Sequence, residues 1–235
     1  MIKVRIFLIS RYLITLSLGL LVTISTYGQS NHQRKSRFLA GIFHNKNLNI
    51  YGLSLGLSSF EDQKRFTNSY GIKLEALGIG IALPLAPVSL VAKDSLAFAK
   101  LMAKPPSEHI YGVNLSVLGT MCNCVSNGIV LGGIGQYNRQ VNGVSFSTFI
   151  NSAQRHSGFQ FAAINESFVM NGVQMGYINS AFKARGIQMG LANFSVNTMG
   201  LQLGVFNHSK NLKGIQIGIW NVNPKRQLPF INWDF

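Results

Sequence analysis

The chain has 235 residues, with 21 Lys and Arg against 7 Asp and Glu, a formal charge of +14, 47% apolar residues and 24 Gly. Charged residues make up 12%, about half the usual share of a soluble domain. This excludes a charge-rich disordered chain and calls for a surface built from Gly, Ser, Asn and Gln, or one that partly faces lipid. The length suits one domain or one repeat array, and Glu61, Asp62, Glu75, Asp94, Glu108, Glu166 and Asp234 are all the acids available for proton or metal chemistry.

Residues 1–28 read as a signal peptide. Lys3, Arg5 and Arg11 charge the start, residues 12–24 form a short apolar stretch, and Thr26-Tyr27-Gly28 provides a small-residue cleavage site. A spanning helix needs about 20 apolar residues, more than this stretch offers. The mature chain, residues 29–235, would begin at Gln29 and carry +11, because the leader holds three basic residues and no acidic one. No Cys follows the cut, so lipid attachment through an N-terminal Cys is not expected.

The mature chain reads as one repeat array. Degenerate copies open it at Gly52-Leu-Ser-Leu-Gly56, Gly71-Ile-Lys-Leu-Glu75, Gly112-Val-Asn-Leu-Ser116 and Gly128-Ile-Val-Leu131. Two insertions interrupt them. Residues 58–69 are polar; residues 84–109 carry Pro84, Pro87, Pro105 and Pro106, with room for one short surface helix between Ser89 and Met102. Cys122 and Cys124 read as two small buried or turn residues, since cysteines two apart on a strand sit too far apart for a disulfide unless the chain turns there.

After residue 140 the period is strict. Glycines fall at 143, 158, 172, 186, 200 and 214, and asparagines at 151, 165, 179, 193, 207 and 221. The clearest copies are Gly172-Val-Gln-Met-Gly-Tyr-Ile-Asn179, Gly186-Ile-Gln-Met-Gly-Leu-Ala-Asn193, Gly200-Leu-Gln-Leu-Gly-Val-Phe-Asn207 and Gly214-Ile-Gln-Ile-Gly-Ile-Trp-Asn221. Apolar residues alternate with Gln and Gly, the period of a strand, and Gly and Asn are natural corners. Hydropathy places Val173, Ile187, Leu201 and Ile215 in the core. It leaves Gln174, Gln188, Gln202 and Gln216 as an exposed row, either a ladder of amides or a binding surface. Residues 222–235 read as a C-terminal cap anchored by Trp220 and Trp233.

These Gly-φ-Gln-φ-Gly-φ-x-Asn copies, the segment Gly119-Thr-Met-Cys-Asn-Cys124 and the ending from Gly214 to Trp233 resemble exported repeat proteins of Bacteroidetes. In the octet alone they are similar to the Leptospira surface-repeat family. The resemblance spans residues 50–235; it implies export and cell-surface placement and carries over no catalytic residue.

Two all-β architectures fit the period. In a 14-residue-repeat β-solenoid each copy is one coil, with Asn laddered at a corner and small residues (Ala153, Ser167, Ala181, Ser195, Ser209) at the tenth position. In the alternative, an outer-membrane β-barrel of about 12 strands, the copies form an antiparallel meander, and Ile231, Trp233 and Phe235 form the terminal strand. The solenoid is the reading adopted here, because every copy shares one period with no 28-residue hairpin unit.

Chemistry-bearing patterns are sparse. Gly52-Leu-Ser54-Leu-Gly56 matches a nucleophile elbow, but Ser54 occupies the slot that later copies give to Gln. His32, His44, His109, His156 and His208 form no cluster and read as scattered solvent or turn residues, and the Asn-x-Ser triplets at Asn165, Asn193 and Asn207 are by-products of the corner Asn. No catalytic residue, cofactor or metal site is expected, although an enzyme using Glu75 or Glu108 is the competing class. One charge pattern stands out: Arg155, Lys183, Arg185, Lys210, Lys213, Lys225 and Arg226 all fall outside the Gly-to-Asn octets, with Glu166 the only acid nearby. They are the expected contact with anionic surface polymers or outer-membrane lipid, not nucleic acid. The sequence therefore predicts a non-enzymatic exported scaffold, structural or adhesive, at the outer membrane or cell surface, with an outer-membrane pore or anchor as the alternative.

Overall fold

A computed structural model describes residues 34–60 and 64–235; the expected leader, His32, Glu61 and Asp62 lie outside them. The strands are β1 (Lys35–Ile42), β2 (Leu48–Gly56), β3 (Thr67–Glu75), β4 (Glu108–Ser116), β5 (Met121–Gly132), β6 (Gly135–Ser147), β7 (Ile150–Phe161), β8 (Ile164–Met175), β9 (Ile178–Val222) and β10 (Gln227–Asp234). They are neighbours in chain order. The pairings from β1 to β9 are parallel and place each copy's glycine beside the next. β9 winds through three 14-residue copies without a break. The fold is a β-solenoid of about 10 turns. An antiparallel meander is excluded by that parallel pairing, so the barrel alternative falls.

Counting each copy from its glycine as position 1, buried side chains fall at positions 3, 8, 10 and 13. In the copy starting at Gly186 these are Gln188, Asn193, Ser195 and Thr198, all polar, whereas Leu191, Phe194 and Met199 are exposed. The solenoid is thus inverted relative to the hydropathy reading. Val173, Ile187, Leu201 and Ile215 point outward, and the glutamine row lies in the interior, fully buried.

The cause is hydrogen bonding. Parallel in-register strands stack identical side chains about 4.8 Å apart, a spacing that lets one amide donate to the next. Gln174 Nε2 donates to Gln160 Oε1 at 2.9 Å, Gln188 to Gln174 at 2.9 Å, Gln202 to Gln188 at 2.8 Å and Gln216 to Gln202 at 2.7 Å. A second ladder runs the other way: Asn165 Nδ2 donates to Asn179 Oδ1 at 2.9 Å, and so on through Asn193 and Asn207 to Asn221. Each of these four donors also reaches a main-chain carbonyl, as Asn179 does with Met189 O at 2.8 Å. The interior is one side chain thick: Ser167 Oγ, from one half-coil, donates to Gln160 Oε1 of the other at 2.9 Å. Two facing rows of branched apolar chains would not fit.

The glycine column is a steric requirement. Gly186 has φ +123°, and a Cβ there would lie 2.1 Å from the carbonyl oxygen of Gly172 one coil below. Leu39 occupies the same slot in β1 with φ 72°, and no described coil precedes it.

The 84–109 insertion forms helix α1 (Ser95–Ala103), with Asp94 capping it by accepting from Ala97 N at 2.8 Å. Phe98 of α1 stacks at 4.3 Å on Phe168, which stacks at 4.5 Å on Phe182. Gln154 ties down the preceding loop by donating to Leu90 O at 2.8 Å. At the C-terminus β10 folds back antiparallel on the last coil. The anchor there is Asn232, fully buried and donating to Gln216 Oε1 at 3.2 Å; Trp220 and Trp233 are both partly exposed.

Gln188→Leu would strand the amide of Gln202 and the carbonyl of Gln174 inside the stack. It should lower stability by about 3 kcal/mol, whereas the outward Met199→Gln should change it by less than about 0.5 kcal/mol, both read by urea unfolding.

Candidate functional site

The two half-coils present different outer faces. On one, positions 2 and 4 of every copy from Gly52 to Gly214 are apolar, and positions 2, 4 and 6 together carry no charged residue. Exposed members include Ile72, Ile129, Val144, Phe146, Leu191 and Ile217. Toward the N-terminal end the face deepens into an open trough of about 1060 Å³ between Ile42, Leu55, Leu74, Leu115, Leu131 and Phe146.

On the other half-coil sit the cations singled out in the sequence. Lys183, Arg185, Lys210 and Lys213 are exposed and make no ion pair among the described residues. Lys183 and Arg185 are two apart on one strand, and Arg185 and Lys213 share a column two coils apart. The others are engaged. Arg155 lies over the Phe98 ring at 5.9 Å, Lys225 pairs with Asp234 at 2.8 Å, and Arg226 covers Trp233 at 4.5 Å. Beside Lys210, a groove of about 270 Å³ runs between Val91, Glu166, Phe182, Phe194 and His208. It brings Glu166 together with a histidine and a lysine on the cationic side.

Glu75 and Glu108, the acids considered for catalysis, lie in a sealed cluster in the first coils. Lys73 occupies the column that later coils give to Gln, and its Nζ meets Glu108 at 2.7 Å, Glu75 at 3.1 Å and Ser59 Oγ at 2.9 Å. Arg65 Nη2 reaches Glu108 at 3.1 Å, and the Lys73 ammonium lies 4.3 Å from the centre of the Phe43 ring. Burial alone raises the Glu75 pKa, but Lys73 and the hydroxyls of Ser59 and Thr120 outweigh it and hold it below the usual carboxylate value. Two cations and two anions cancel, and all four are buried. This cluster was missed in the sequence; the signal was Lys73 in an inward slot.

Ser54 keeps its assignment to the slot that later copies give to Gln, while the readings of the cysteines and of His156 change in the structure. Ser54 is buried in the glutamine column and accepts from Ser69 Oγ at 3.0 Å, which leaves it no access to substrate. Cys122 and Cys124, both buried, form a disulfide with Cα atoms 5.1 Å apart. The β5–β6 register shifts between Cys122 and Val125, providing the irregular step that a regular strand lacks. His156 is a core residue of the position 13 column, with Nε2 2.8 Å from Ser145 Oγ. Asn165, Asn193 and Asn207 are fully buried as ladder members, consistent with their triplets being by-products of the corner.

No family model, curated protein or solved structure matches this chain.

Burial lowers the His156 pKa from 6.5 to about 4. The folded state therefore holds the ring neutral while the unfolded chain protonates it, so its contribution is complete above pH 6.5 and is lost as pH falls toward 4. Stability should decline by on the order of 3 kcal/mol over that window. In His156→Met the decline between pH 6.5 and 4.5 should shrink without vanishing, since His44 and His109, whose pKa values burial also lowers, and the first protonation of Glu75 in the unfolded chain contribute to it; urea unfolding at stepped pH measures it.

Proposed function

We propose that the protein is a non-enzymatic exported scaffold, held at the outer membrane or cell surface, whose cationic half-coils grip anionic groups on surface polymers or lipid headgroups. The observation that carries this reading is the unpaired set Lys183, Arg185, Lys210 and Lys213, displayed on a rigid stack near which Glu166 and the Asp234 already paired with Lys225 are the acids among the described residues. A repeat stack presents such charges at fixed intervals, which suits a polymer with its own repeated charge. The non-enzymatic part rests on the neutral, buried Lys73–Glu75–Glu108–Arg65 cluster, which holds the two acids away from any substrate. Export rests on the leader reading of residues 1–28, and predicts Gln29 as the N-terminus of protein recovered from the cell envelope.

Binding to phosphatidylglycerol vesicles and to a polyuronate, each at low and high salt, tests the reading and separates the two anion sources. Salt-sensitive binding to at least one is expected, weakened about tenfold or more when the four cations are changed together to Gln. Binding indifferent to salt and to those substitutions, or absent from both probes, would refute it.

A further inference from the structure

The apolar face is a second surface that the cationic reading leaves unused, and we propose that it is covered by a second copy of this chain. Two protomers would pack face to face through positions 2, 4 and 6.

The size of the face supports a second copy. Ten strands at about 4.8 Å spacing and a half-coil of about 3.3 Å per residue give a sheet about 45 Å by about 16 Å, roughly 700 Å² per copy. That is close to the roughly 800 Å² per partner of a standard stable interface. Left open, a patch of this size exceeds what monomeric soluble proteins expose.

Charge placement chooses between a second copy and a bilayer. A protein lying on anionic lipid through its apolar face surrounds that face with Lys and Arg so that both contacts form at once. Here Lys183 and Lys210 occupy the half-coil on the far side of the interior from positions 2 to 4, and Arg185 and Lys213, just before the glycine corner, flank only one edge of the apolar face and do not surround it. The Ser167–Gln160 bond fixes this arrangement by placing position 10 opposite position 3. In a face-to-face pair the like-charged halves point away from each other into solvent.

Geometry adds a third argument. Positions 2 and 4 form straight rows along the stack because the strands are in register. Two such ridged faces interdigitate about a two-fold axis, a self-complementary contact that closes at two copies. End-to-end growth at the C-terminal edge is opposed by β10, which already pairs with that edge. The dimer itself does not depend on the anion-binding reading. If that reading also holds, the pair is a two-sided plate able to bridge two anionic surfaces.

Sedimentation velocity of the purified protein across micromolar concentrations, without detergent, is the test. A species of twice the chain mass is expected. It should dissociate in Leu131→Lys and Ile187→Lys, two outward substitutions on different coils, each with the circular dichroism of the parent. Lys183→Gln should leave it intact. A monomer throughout, or a dimer that survives both well-folded lysine variants, overturns the proposal. A monomer that binds uncharged phosphatidylcholine vesicles through the same residues overturns it in favour of lipid. Failure of the anion-binding assays leaves this sizing result unaffected, so the two readings fail separately.

Discussion

The structure depends on one interaction: side-chain amides hydrogen-bonded from coil to coil in a solvent-free column. An amide buried without partners costs roughly 1–3 kcal/mol, and one whose donors and acceptor are met costs little and fixes its neighbours. Gln188 meets this condition through Gln174 below, Gln202 above and the carbonyl of Phe194. Registry follows directly. A slip of one residue would carry every glutamine outside and leave Ile and Met facing the small residues of the tenth position. The glutamine ladder donates toward the N-terminus and the asparagine ladder toward the C-terminus, so their dipoles oppose and no net field builds along the stack.

The rest of the architecture is a consequence. Because the interior is one side chain thick and its third and eighth columns are filled by amides, the apolar residues at positions 2, 4 and 6 turn outward, while Met170, Ala184 and Leu212 are buried in the thirteenth column; the solenoid therefore has an apolar face and a cationic one. The columns tolerate other occupants where partners exist. Lys73 replaces an amide in the third position because Glu75, Glu108 and Ser59 surround its ammonium. His156 stands in the thirteenth because Ser145 meets its ring nitrogen. The first coils are thus held by ion pairs and a disulfide, and the later ones by repetition of a single bond.

Much of this was legible in the sequence for a plain reason: a strict period writes its geometry repeatedly. The glycine at φ +123°, the corner Asn, the small tenth position, the helix after Asp94 and the closing segment all follow from spacing and residue type. Which face turned inward did not, since alternation with period two marks two faces without naming the buried one, and hydropathy assigns the apolar face by default. A usable signal was present. Position 3 is Gln in five successive copies from Gln160 to Gln216, while position 2 drifts among Phe, Val, Ile and Leu. A side chain that bonds to its own copy must stay the same, and one that faces outward need not. The cluster of Arg65, Lys73, Glu75 and Glu108 was harder to read: Lys73 in the glutamine column was its one trace, while Arg65 and Glu108 come from two separate insertions and meet only after the coils close.

Hydrogen exchange of the glutamine and asparagine side-chain amides, followed by NMR, tests the inverted core most directly. The account predicts that Gln174, Gln188, Gln202 and Asn179, Asn193, Asn207 keep their side-chain protons orders of magnitude longer than a free amide, as long as the most protected backbone sites. Exchange of these side chains at the rate of free glutamine would contradict it and place the ladder on the outside.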